Sequence, residues 1–167
     1  DKNPERVRQE VQEIGCASRA ALAQVRNLVT QMRAVKIAEE LLEADAILKS
    51  AGIRLTVEGD PALPELSDLK HNIVSMCLRE AVTNIVRHSG ATACCVTIDN
   101  TETGVELRVC DNGDGFDGEC CQGNGLKGMA ERLAFIEGSM SIGVAEGETV
   151  LQLFVPIVAA DKGDREA

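Results

Sequence analysis

The 167-residue sequence has no tryptophan, no tyrosine and only three phenylalanines, so absorbance at 280 nm would barely report its concentration. No run of about 18 apolar residues occurs, which excludes a membrane-crossing helix on hydropathy grounds. The first residue is Asp1 rather than Met, with no charged-then-apolar leader behind it, and the chain reads as a piece of something longer. Positive charge is in deficit: 17 Lys and Arg stand against 27 Asp and Glu, a net charge of −10. That excess repels phosphate backbones and anionic lipid, which argues against nucleic acid and membrane surfaces as partners. No C-x-x-C occurs among Cys16, Cys77, Cys94, Cys95, Cys110, Cys120 and Cys121, and the only histidines are His71 and His88. These spacings read as reduced intracellular thiols, not as a zinc site or disulfide framework. What remains, 44% apolar and 26% charged, suits one soluble domain with a proper core and a short appended element.

Val7, Val11, Ile14, Ser18, Ala21, Val25, Leu28 and Met32 step by 4 and 3 residues alternately, a heptad seam over residues 5–32. That period of 3.5 predicts a helical stalk of a bundle or coiled coil. A second helix is expected from about Lys36 to Ser50, stopped near Gly52. Ile53, Leu55 and Val57 then alternate as a strand with one buried face. After a turn-rich connector, Gly59 to Pro64, the pattern is helical from Ser67 to about His88. Strands are expected at Ala91 to Asp99 and Gly104 to Cys110, then a glycine-rich loop from Asp111 to Asn124. A short helix from about Leu126 to Ile136 follows, and two strands, Ser139 to Val144 and Glu148 to Val155, meet at Glu146-Gly147. The tail Asp161 to Ala167 is expected to be disordered. Short turns between consecutive strands imply an α+β sandwich, with helices on one face of a mixed, largely antiparallel sheet. A doubly wound fold would need a strand leading into the glycine loop and parallel crossovers.

On the helix around Leu78–His88, Val74, Leu78, Ala81, Val82 and Ile85 form an apolar face. Glu80, Asn84 and then Arg87 or His88 recur at i, i+4 and i+7 or i+8 as one polar stripe. Carboxylate and amide oxygens suit a hydrated Mg²⁺, and a cation in line suits phosphate, although a solvated helix face has the same pattern. The segment Asp111-Asn112-Gly113-Asp114-Gly115-Phe116 puts an acid at the end of an apolar strand. A carboxylate fixed there can accept a hydrogen bond from the exocyclic amine of adenine, and the glycines let the backbone approach a planar base. Gly123-Asn124-Gly125-Leu126-Lys127-Gly128-Met129 leads a second glycine cluster into a helix, whose first N–H groups can cradle phosphates.

Glu80-x-x-x-Asn84-x-x-Arg87-His88 resembles the N box of the GHKL ATPases, which have the Bergerat fold. Asp111-x-Gly113-x-Gly115 resembles the G1 box, and Gly123-x-Gly125-Leu126-x-Gly128-Met129 the G2 box. "LREAVTNIVRHSGA" and "GNGLKGMAERL" are similar to DesK-type and NarX-type sensor histidine kinases. The resemblance runs from about Val7 to Pro156. It implies a partial dimerisation and phosphotransfer helix at 1–33, a catalytic ATP-binding domain at 34–158 and a tail at 159–167. It further implies that Asp111 reads the adenine amino group with Thr149 beside it. Asn84 would ligate Mg²⁺, and Glu80 would order the Mg²⁺ shell or assist proton removal. Arg87 would meet phosphate, His88 would either touch phosphate or cap the helix, Gly123, Gly125 and Gly128 would wrap the triphosphate, and Gly113, Gly115, Leu126 and Met129 would complete the ATP-binding set. The implied activity is transfer of the ATP γ-phosphoryl to a histidine, then to a response regulator receiver domain. The implied setting is a cytoplasmic domain of a membrane-anchored parent that dimerises through its N-terminal helix. Neither Lys70-His71-Asn72 nor Arg87-His88-Ser89 matches the family's phosphoacceptor pattern, so the chain is expected to bind ATP without phosphorylating itself. Two other readings stay open: an anti-sigma-factor serine kinase, which would lack the stalk, and a non-catalytic protein-contact module on the same fold.

Overall fold

The computed structural model describes residues 36–63, 66–114 and 124–157. Contacts divide the chain into two units, Asp1–Ala34 and Val35–Ala167. The expected stalk helix and the expected disordered tail lie outside the described residues.

Helix α1 (Ile37–Ser50) buries Ile37, Leu41, Ala44 and Leu48, a spacing that keeps one face on the core. It ends in a Schellman motif: Ile53 N–H donates to Leu48 O (2.9 Å) and Gly52 N–H to Lys49 O (3.1 Å), with Gly52 left-handed at φ 77°. The motif's apolar clasp is the buried pair Leu48 and Ile53. Strand β1 (Arg54–Gly59) follows, then helix α2 (Asp68–Asn84), capped by the Ser67 hydroxyl accepting from Lys70 N–H. The helix does not run on to His88. Ile85–Ser89 is a π-helical turn that Gly90 closes in the left-handed region, φ 62°.

Strands β2 (Ala93–Asn100) and β3 (Gly104–Asp111), helix α3 (Asn124–Phe135), and strands β4 (Ser139–Ala145) and β5 (Glu148–Pro156) complete the order. The sheet runs β1-β2-β3-β5-β4, with β1 and β2 parallel and the other neighbours antiparallel. Glu146 (φ 54°) and Gly147 (φ 85°) make the β4–β5 connection, the two positive φ angles of a type I′ hairpin turn. Cys94, Val96 and Ile98 of β2, Val105, Leu107 and Val109 of β3, and Leu151, Leu153 and Val155 of β5 are buried with the helix residues in one core. The opposite sheet face carries Cys95, Thr97, Glu106, Arg108, Cys110 and Gln152, half-buried or exposed. The expected α+β sandwich with helices on one face is what forms. Strand β1 departs from expectation: as an edge strand it leaves Val57 exposed, and Ile53, just before it, is the buried residue.

Candidate functional site

The starts of β1, β2 and β5 and the end of β3 share one end of the sheet, and the polar site residues gather there. Asp111 closes β3 in register between Cys94 of β2 and Thr149 of β5. Alternation along β3 turns Val105, Leu107, Val109 and Asp111 to the helix-covered face, so the carboxylate stands where the pattern calls for an apolar side chain. Asp111 is only 5% exposed, and no Lys, Arg or His among the described residues pairs with it. Burial pushes its carboxyl above the ordinary range, and hydrogen bonds from Gly113 N–H and the Ser89 side chain partly offset that. The Gly113 bond measures 3.0 Å at Asp111 Oδ1.

The loop after β3 is fastened to the chain entering β2. Asn112 Oδ1 accepts from Thr92 N–H and Ala93 N–H, both at 2.9 Å, and Asn112 Nδ2 donates to Thr92 Oγ1 at 3.0 Å. Asp114 N–H donates to Ser89 O at 2.8 Å. A Cβ on Gly113 would collide with the Ser89 backbone, so this close approach requires glycine there. Ser89 thus anchors the acid and its loop, a role the sequence pattern did not indicate. The π-helical turn buries it, while Arg87 and His88 stay exposed. The wider turn also breaks the 3.6-residue phase past Asn84, so the stripe continues through Glu80 and Asn84 but Arg87 and His88 do not follow at ideal helical angles.

Glu80 meets the second glycine cluster directly: a Cβ on Gly125 would overlap its Oε1. The carboxylate therefore lies on the first turn of α3, where N–H groups lack intrahelical partners. Gly128, one turn on, has the Arg132 guanidinium over it, 3.5 Å from the position of a Cβ. Arg132 is the second residue missed; its i+4 offset from Gly128 was the available signal. Leu126 is half-buried against the core, and Met129 is wholly buried within it, a packing residue. Gly115 and Gly123 lie outside the described residues. Thr149, half-buried, faces Asp111 on one side and Val144 on the other.

A buried anionic acceptor, two hard oxygen donors one turn apart on α2 and a glycine-rich helix start are suited to an amino-bearing base followed by phosphates. Over 156 residues the chain is 43% identical to the sensor histidine kinase YvfT of Bacillus subtilis, covering 93% of this chain and 42% of that one. With the sensor histidine kinase DesK of the same organism it shares 37% over 157 residues, again 93% and 42%. The histidine kinase domain of the Erythrobacter litoralis blue-light activated kinase superposes with a TM-score of 0.62 at 15% identity, covering 80% of this chain and 69% of that one. The chain is a homologue of the sensor histidine kinases. Its described part has the fold of their catalytic domain. No protein-family model matches the sequence. The chain spans about two fifths of the curated kinases it matches. No helix among the described residues of this kinase homologue is long and apolar enough to cross a membrane.

Proposed function

We propose that residues 34–158 bind ATP with Mg²⁺ and present it for phosphoryl transfer to a histidine, from which the group passes to a response regulator receiver domain. The observation that carries this reading is Asp111: a buried carboxylate with no cation beside it among the described residues, held by the Gly113 N–H and Ser89, in register beside Thr149. Those two hydrogen bonds only partly offset the burial of the carboxylate, and the adenine amino group would add a further donor. Asn84 Oδ1 would ligate the metal, and Glu80, lying on Gly125, would orient its water shell or take a proton. No three His, Cys, Asp or Glu among the described residues gather as a metal site, which fits a cation held mainly by phosphate oxygens and water. Phosphate oxygens would approach the start of α3 at Gly125 and Gly128, where the Glu80 carboxylate and the Arg132 guanidinium lie; Gly113, Gly115 and Gly123 would complete the nucleotide contacts, and Arg132 would add a cation that Arg87 and His88 supplement. When bound, ATP·Mg²⁺ supplies the γ-phosphoryl; the protein's contribution is positioning and charge neutralisation. The parent protein is a dimer through its N-terminal helix, with the catalytic domain on the cytoplasmic side.

Thermal unfolding with and without ATP·Mg²⁺ tests the reading. Ligand at about 100 times its Kd stabilises by about 2.7 kcal/mol, several degrees for a domain of this size. An unmoved transition at millimolar ATP·Mg²⁺ refutes it.

A further inference from the structure

On the sheet face away from the nucleotide site, Cys95 of β2 and Cys110 of β3 stand directly opposite each other. Both are free and half-buried. The flanking ladder fixes their pairing type. Asn112 N–H donates to Ala93 O, and Thr101 N–H to Gly104 O, so odd-numbered residues of β2 occupy hydrogen-bonded pairs. In such a pair the Cα atoms lie about 5.5 Å apart, inside the roughly 4.4–6.8 Å window of disulfides. Their Cβ atoms, at about 5.5 Å, must close to roughly 4 Å, so the bridge forms at the expense of a local twist of β3. That twist falls on the residue before Asp111.

We propose that Cys95 and Cys110 are a redox modification site: a hydroperoxide closes them into a cross-strand disulfide, and closure weakens the nucleotide site through Asp111. The second clause rests on the ATP reading; the disulfide does not. Cys95 takes the first step, because burial and the neighbouring Cys95 and Glu148 keep the Cys110 thiol protonated. The Cys95 thiolate attacks one peroxide oxygen, the O–O bond breaks, and water or an alcohol leaves with the proton, giving Cys95 sulfenic acid. Cys110 sulfur then attacks Cys95 sulfur; the S–O bond breaks, the S–S bond forms and water leaves. The two sulfurs together lose two electrons, which the peroxide accepts. A dithiol reductant reverses the bond, and the twist it imposes favours that reversal. Cys94 and Cys77 are not competitors: burial pushes their thiols up to about 12 and about 11, and Cys94 lies on the helix-covered face.

The test treats the whole chain with hydrogen peroxide, blocks residual thiols, and reads disulfides by mass spectrometry. Trypsin leaves Cys94 and Cys95 on one peptide and Cys110, Cys120 and Cys121 on another, so C95S and C110S make the assignment. The expected result is a cross-link between the two peptides, 2 Da lighter than their sum, lost in either variant and on reduction. Cross-linking that survives C95S or C110S, or full alkylation of both cysteines after peroxide, overturns the site. Oxidation is expected to raise the ATP Kd at least threefold in wild type, reversibly, and not in C110S. An unchanged Kd in a cross-linked, ATP-binding chain overturns the coupling. A reduced chain that never binds ATP instead refutes the nucleotide reading, and the cross-link result then stands alone.

Discussion

Replacing Asp111 by Asn separates what the site needs from what the fold needs. The Asn side chain has nearly the same shape, and its Oδ1 can still accept from Gly113 N–H. It loses the charge that would meet the adenine amino group. A charge-assisted hydrogen bond contributes about 1.5–3 kcal/mol, so ATP affinity should fall roughly 10- to 150-fold. At an ATP concentration of about 100 wild-type Kd, the stabilisation then drops from about 2.7 kcal/mol to about 0.3–1.4 kcal/mol. At about 3–4 °C per kcal/mol, a wild-type shift of about 8–11 °C shrinks to about 1–6 °C.

The unliganded protein should move the other way. The Asp111 carboxyl is held above its ordinary value by burial, so the folded state favours its protonated form. Its contribution to stability is therefore present in full below the unfolded carboxyl value, about 3.9, and is lost as pH rises through the raised folded value. At pH 7 the ionised group is a liability, and the neutral Asn variant should unfold at the same temperature as wild type or higher. That advantage should disappear as pH is lowered through the carboxylate range. Circular dichroism melts are the assay, since the chain has no tryptophan or tyrosine to report unfolding. A variant less stable than wild type at pH 7, with its ATP shift intact, would sink the argument.

Gly125→Ala should leave the melting temperature level or raise it, because Ala is about 1 kcal/mol better than Gly in a helix and the colliding Glu80 Oε1 is the far end of a flexible side chain. The displaced carboxylate should nevertheless lower phosphoryl transfer in a complete kinase carrying the change, measured with labelled ATP. Arg79→Met removes the partner of Glu40, a carboxylate 2% exposed that accepts from Arg79 Nε at 2.9 Å and Nη2 at 2.6 Å. Stranding that charge should cost about 3 kcal/mol, the low end for a broken buried pair because the arginine is half exposed, as read by urea unfolding. Glu137→Gly should stabilise by about 1 kcal/mol, since Glu137 sits at φ 59° in the Schellman end of α3, where glycine is unstrained; a chemical denaturation midpoint checks it.

Much of this fold can be read along the chain because its elements obey their own periods. Ile37, Leu41, Ala44 and Leu48 announce α1, and Val105, Leu107 and Val109 announce β3 with its buried face. Gly52 and Glu146-Gly147 mark turns because few residues accept their backbone angles. The features that escape are those that depend on neighbours distant in sequence. Val57 alternates like a buried strand residue, but exposure is decided by β1 lying at the sheet edge. The π-helical turn has no periodic signature, since Ile85 and Ser89 remain four apart and both remain buried. Ser89 and Asn112 become visible only when the loops they join meet, although both are polar residues beside glycines. Arg132 reads as a solvated helix residue until Gly128 is seen beneath its guanidinium.

Departures from good folding practice occur elsewhere, as at Glu137 in its left-handed turn and at the buried His71 Nδ1, but they gather most densely in one place. Away from the site, caps, hairpin turns and apolar stripes agree with one another, as they do in a chain whose local preferences match its fold. At one end of the sheet they fail together: an ionisable acid ends the stripe Val105, Leu107, Val109, and a π-helical turn replaces the regular end of α2. Gly113 has no room for a side chain against Ser89, and Glu80 lies on a glycine rather than beside a cation. An apolar residue at position 111 would serve the core better than a buried carboxylate. The convergence of these features is explained if a ligand completes them. An amine for Asp111 would add to the Gly113 and Ser89 hydrogen bonds that only partly offset its burial, and phosphates with a metal ion would meet Glu80, Asn84 and the α3 start.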